Sequence, residues 1–104
     1  MSQRLEALKG MVAQNPADSF ARYGLAMEYA NSGDLEAAVA EYKALLAVNA
    51  NYAAAYQHGG QALEKLGRLD EAREMYRGGI AAAERAGDRH TLGEIQLALD
   101  LLGD

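Results

Sequence analysis

Residues 32–46, SGDLEAAVAEYKALL, are echoed by residues 66–80, LGRLDEAREMYRGGI. Gly33 and Gly67, Leu35 and Leu69, Ala38 and Ala72, and Tyr42 and Tyr76 each stand 34 residues apart. Both stretches read alike: a glycine stops one helix, and an apolar stripe at helical spacing opens the next. A period of that length predicts helical units that bury their apolar faces on one another. Laying residues 17–50 over 51–84 adds the identities Ala21/Ala55 and Ala47/Ala81, with Glu36/Asp70, Lys43/Arg77 and Leu46/Ile80 as conservative pairs.

The rest of the chain agrees with a helical reading. Twenty-two of the 104 residues are alanine, the best helix former and small enough to let helices approach closely. Pro16 is the only proline, and no segment alternates apolar and polar residues over a strand's length. Six helices are expected. The first covers about Gln3 to Gln14, with Leu5, Leu8 and Val12 on one face. The second runs from Ala17 to Ser32, opened by Asn15-Pro16 and stopped by Gly33. The third starts after Asp34, a candidate N-cap, and is broken by Asn49-Ala50-Asn51. Tyr52 to Leu66, Arg68 to Ala86 and Arg89 to Leu102 complete the set, with Gly67 and Gly87-Asp88 as punctuation. Such short connections force successive helices to lie antiparallel.

These positions resemble the tetratricopeptide repeat, a 34-residue helix–turn–helix unit. The first repeat supplies Leu25-Ala26, Tyr29, Gly33-Asp34-Leu35, Ala38 and Tyr42. The second supplies Tyr56, Gly60, Leu63, Gly67-Arg68-Leu69, Ala72, Tyr76 and Gly79. The resemblance implies an all-α fold, a right-handed superhelical stack of antiparallel helix pairs, as one domain over residues 1–104. Its parts would be a half-repeat helix over 3–14, repeats over 17–50 and 51–84, and a capping half-repeat helix over 88–102. Arg22 departs from the pattern, standing where the repeat carries an aromatic. Gly59 takes a leucine site, and Gly78-Gly79 sits inside the fifth helix, where close helix crossing is the expected reason.

Charge and chemistry narrow the function. The formal net charge of −5 argues against nucleic acid and anionic membranes as partners. There is no cysteine, which excludes disulfides and thiolate chemistry. Met1-Ser2-Gln3-Arg4 opens without an apolar signal core, so a cytoplasmic location is expected. The only histidines, His58 and His90, match no catalytic or metal-ligand spacing. No enzyme, metal or cofactor is expected. Glu36, Glu41, Asp70 and Glu71 read as a solvated face.

Binding remains. The resemblance implies a concave groove lined by the first helix of each repeat, which places Phe20, Tyr23, Met27 and Asn31 beside Gln57, His58, Gln61 and Lys65. The sixth helix would add Thr91, Ile95 and Ala98. The lysine, asparagine and arginine with which some family members clamp a terminal carboxylate are missing: Tyr23, Met27 and His58 stand at those places. A protein or peptide segment, extended or an amphipathic helix, is therefore the expected partner, with Phe20, Tyr23 and Met27 as anchors. The sixth helix carries two apolar stripes, Leu92, Ile95, Leu99 and Leu102 on one side and Leu97 with Leu101 on the other. One stripe docks inward and the other lacks a partner in the chain. The stripe through Leu92, Ile95, Leu99 and Leu102 is the expected association surface, which makes the chain a homo-oligomeric scaffold in the alternative reading.

Overall fold

Side-chain oxygens of Ser2, Asp18, Asp34 and Asp88 accept the backbone N–H groups of Leu5, Ala21, Ala37 and Thr91 at 2.9–3.2 Å. Each satisfies a first-turn donor that has no intrahelical partner, and so fixes where a helix begins. In the computed structural model, which describes residues 2–103, the helices are α1 (Gln3–Gln14), α2 (Ser19–Asn31), α3 (Leu35–Val48), α4 (Ala53–Lys65), α5 (Leu69–Ala86) and α6 (Arg89–Leu102). Met1 and Asp104, counted in the expected domain, lie outside the described residues. There is no strand among the described residues. The second helix starts two residues later than expected because Asp18 takes the cap, leaving Pro16 and Ala17 in the preceding turn.

Two kinds of turn join the helices. Gly33, Gly67 and Gly87 take φ of 88°, 77° and 67°, a left-handed conformation that glycine adopts without steric cost. The next N–H then reaches back to the carbonyl five residues earlier: Asp34 to Tyr29, Arg68 to Leu63 and Asp88 to Ala83, each at 2.9 Å. The other turn joins α1 to α2 and α3 to α4. Asn15 and Asn49 hold nearly the same backbone, φ −141° and −146° with ψ 86° and 84°. Their Oδ1 atoms accept from Ala17 and Asn51 N–H, both at 3.3 Å. Ala50 stands where Pro16 does one period earlier, so the asparagine side chain, rather than proline, is common to both turns.

Each helix packs chiefly on the one before and the one after it, and α4 also touches α6. One core cluster, Ala26, Ala38, Tyr42, Leu45 and Ala55, joins α2, α3 and α4. The other, built on Val39, Ala62, Leu63, Ala72, Tyr76 and Ile95, joins α3 through α6. Small residues seat large ones. A methyl on Gly79 would lie 2.7 Å from Tyr56 Cβ and 2.8 Å from Ile95 Cδ1, so α4, α5 and α6 meet there without room for a side chain. The helix α5 runs unbroken through Gly78-Gly79, and close crossing is their role.

Arg22 and Tyr56, one period apart, do the same job with different chemistry. Arg22 Nε donates to Pro16 O at 2.6 Å, and Tyr56 Oη donates to Ala50 O at 2.8 Å. Each ties the start of a pair to the turn preceding it. Arg22 also pairs with Glu41 at 3.0 Å, with only 16% and 20% of the two side chains exposed. Glu41 is thus no solvated carboxylate, because its partner draws it against α2.

The sixth helix corrects the sequence reading of its faces. Ile95 is wholly buried, Leu99 and Leu102 pack on the α3–α6 cluster, and Leu92 is half-buried. That stripe is the docking face, not an association surface. Leu97 and Leu101 face outward, 59% and 78% exposed. Arg73 on α5 closes the helix end by donating Nε to Gly103 O at 2.6 Å. No helix among the described residues is long and apolar enough to cross a membrane.

Candidate functional site

The spacing of Phe20, Tyr23, Met27 and Asn31 sets them along one side of α2, and Gln57, His58, Gln61 and Lys65 lie along α4 in the same sense. Tyr23 is the centre. Its ring centroid lies 5.2 Å from Tyr52, 5.9 Å from His58 and 6.4 Å from Tyr42, a tilted and edge-on cluster of the kind aromatic rings prefer. Tyr42, buried beneath, donates its hydroxyl to Met27 Sδ at 3.1 Å and so fixes the thioether in the groove.

Two clefts flank Met27 and Asn31, and both residues line both. The larger, about 320 Å³, lies between α1 and α2, with Leu8, Phe20, Tyr23 and Gly24 as its apolar part. Arg4 and Glu28 edge it and pair at 3.1 Å. The smaller, about 120 Å³, opens between α2 and α4, where His58, Gln61 and Lys65 face Asn31 over a floor containing Tyr42. The expected groove residues of α2 and α4 are therefore brought together, apart from Gln57, which lines neither cleft. Thr91, Ile95 and Ala98 of α6, also expected there, line neither: Ile95 is wholly buried in the core and Ala98 packs against it. Tyr23, Met27 and His58 are half-buried; Phe20 is 76% exposed.

Burial shapes the electrostatics. It is the main cause that lowers the His58 pKa from its ordinary 6.5, partly offset by a hydrogen bond with Gln61 and the charge of Glu94, so the imidazole is neutral at pH 7. Burial likewise raises the Tyr23 and Tyr42 phenols, with the neighbouring phenol as a second cause in each, keeping both as donors. The groove offers apolar surface and neutral donors, with Lys65 as its one cation on the α4 side.

Residues from outside the expected set also contribute. Leu8, Arg4 and Gly24 complete the α1–α2 cleft, and Tyr52 flanks Tyr23 from the turn before α4. Leu8 was legible as part of the apolar face of α1; Tyr52, in a turn, carried no periodic signal. A separate cleft of about 410 Å³ lies between α3 and α5, floored by Tyr56, Leu63 and Met75 and edged by Lys43, Asp70 and Glu71. Its edge charges are already paired, Lys43 with Glu71 at 3.4 Å and Asp70 with Arg73 at 2.8 Å.

A stack of helix pairs joined by short turns, each helix packed chiefly on its neighbours in sequence, defines a helical-repeat protein. A family model described as tetratricopeptide repeat matches residues 21–52 and 53–85, and the chain belongs to that family. It is similar to a TPR repeat-containing protein of Pseudomonas aeruginosa, 28% identical over 95 residues that cover 91% of this chain and 90% of the relative. The solution structure of a tetratricopeptide repeat domain protein from Salinibacter ruber is 33% identical, covers 85% of this chain and 89% of its own, and superposes with a TM-score of 0.79. The structure of PcrH in complex with the chaperone binding region of PopD reaches a TM-score of 0.90 at 17% identity, covering 94% of this chain and 74% of the other, a likeness of fold.

Proposed function

We propose that this chain is a protein-interaction module that holds a segment of a partner protein along α2 and α4. One observation carries the reading: Phe20, three-quarters exposed, continues into half-buried Tyr23 and Met27 across two clefts that share Met27 and Asn31. Exposed aromatic anchors beside clefts are the usual centre of binding energy at protein interfaces. The fold shared with PcrH, whose structure contains a region of PopD, supports a segment as the occupant. Phe20→Ala combined with Tyr23→Ala is expected to weaken capture of a cellular partner by about thirtyfold or more. Affinity purification with mass spectrometry reads the loss, with helical content checked by circular dichroism. Undiminished capture by the double variant would move the binding surface elsewhere.

A second reading, self-association, is favoured by Leu97 and Leu101 on the outer side of α6. Two large aliphatic side chains one turn apart form an apolar patch that a second copy can cover. Light scattering at micromolar concentration is expected to show an oligomer that Leu97→Glu with Leu101→Glu reduces to a monomer. A monomeric unmodified chain overturns this reading.

A further inference from the structure

Most lysines and arginines here are engaged: Arg4, Lys43, Arg68 and others lie within salt-bridge distance of a carboxylate. Lys65 pairs with none among the described residues, although carboxylates outnumber cations in the chain. It ends α4, where a cation suits the helix dipole, and it is exposed, with no side-chain hydrogen bond to another described residue. Asn31, one period earlier, ends α2 and faces the same small cleft with Gln61 and His58. No aspartate or glutamate lines this cleft. In a chain of net charge −5, a cleft edged by donors and one cation, with no acid, is complementary to an anion.

We infer that the cleft between α2 and α4 receives the side-chain carboxylate of an aspartate or glutamate in the bound segment, while a bulky apolar neighbour on that segment covers Phe20 and Tyr23. This rests on the groove reading above and names its partner's chemistry. A monoanion fits better than a phosphate group, because one ammonium and neutral amides balance a single charge. There is no guanidinium fork in the lining to hold a dianion. A side chain fits better than a chain terminus, because the cleft is flanked by the α1–α2 cleft on one side and by α6, whose Glu94 acts on His58, on the other. A segment crossing α2 continues past the cleft in both directions.

The test is selection from a phage-displayed dodecapeptide library against the full chain, in which no peptide presents a free C-terminal carboxylate. Selected sequences are expected to carry Asp or Glu beside Leu, Ile, Phe or Met. A selected peptide, synthesised with blocked ends, is expected to bind about tenfold more weakly when its acid becomes Gln, and equally so to the Lys65→Glu protein. Pairing Lys65→Glu with a peptide whose acid is changed to Lys restores binding. Selected peptides without an acid, or binding that ignores Lys65→Glu yet is lost with Phe20→Ala and Tyr23→Ala, overturn this inference and leave the groove reading standing. Binding indifferent to all these substitutions, or no selected peptide at all, overturns both. A peptide that binds as well with its acid moved to a free C-terminus overturns the side-chain assignment.

Discussion

Tyr76→Ala is expected to destabilise the chain by about 3–5 kcal/mol, the usual range for removing a buried aromatic side chain. Tyr76 is wholly buried, and its ring fills the contact between α4 and α5 inside the cluster that also holds Ile95 of α6. Its hydroxyl donates to Glu64. Small domains have stabilities of about 5–15 kcal/mol, so a loss of that size removes a large share of the whole. Urea denaturation followed by circular dichroism measures it. Tyr76→Phe keeps the ring and loses only the hydroxyl, and is expected to cost about 0.5–1.5 kcal/mol. If the alanine variant loses no more than the phenylalanine one, the ring does not pack as described.

Gly60→Ala is expected to reverse the ordinary sign of a helical glycine substitution. Within a helix, alanine is usually more stable than glycine by about 0.5–1 kcal/mol. Gly10 in α1 and Gly93 in α6 have open space where a methyl would go, and alanine at either should stabilise by that amount. At Gly60 the methyl would enter the Tyr76 ring, so a loss of about 1–3 kcal/mol is expected from overpacking. Thermal denaturation of the three single variants distinguishes them. Combining Gly60→Ala with Tyr76→Ala should cost less than the sum of the two, because the missing ring makes room for the methyl. A Gly60→Ala chain that melts higher than the parent would contradict the close approach of α4 and α5.

The architecture was legible because its signals are local. Gly33 and Gly67 announce a left-handed turn by residue type alone, and the apolar stripes behind them have helical period. The starts of α2, α4 and α5 were less legible, since caps compete over a residue or two and α4 and α5 begin with no side-chain cap. The equivalence of Asn15 and Asn49 was hidden by Pro16, which offered a sufficient reason for the turn by itself. Which face of α6 docks inward was not legible. Two leucine stripes of similar strength lie on one helix, and the choice is made by the shape of α5, where Gly79 leaves room for Ile95. Long-range pairing was equally invisible: Arg22 meets Glu41 from 19 residues away, and periodicity assigns neither a partner. For the groove, residue spacing placed α2 and α4 positions on common faces. The division into an apolar cleft and a polar one depends on Leu8 from α1 and Tyr42 from α3, which no pattern within α2 or α4 reveals.

The interchangeable tie at Arg22 and Tyr56 bears on how such chains lengthen. A joint that accepts either a guanidinium or a phenol on the equivalent carbonyl, Pro16 in one turn and Ala50 in the next of its kind, sets a loose requirement on whatever unit follows it. A duplicated stretch of 34 residues inserted at Asn49 would meet an asparagine turn, a donor for the preceding carbonyl and a glycine stop, all already in register. Since each helix rests mainly on its neighbours, the insertion leaves the existing contacts on either side intact and adds one more set. Growth by whole periods is therefore an easy evolutionary step for this fold, whereas a gain or loss of a few residues inside a unit would misplace every ring from its glycine.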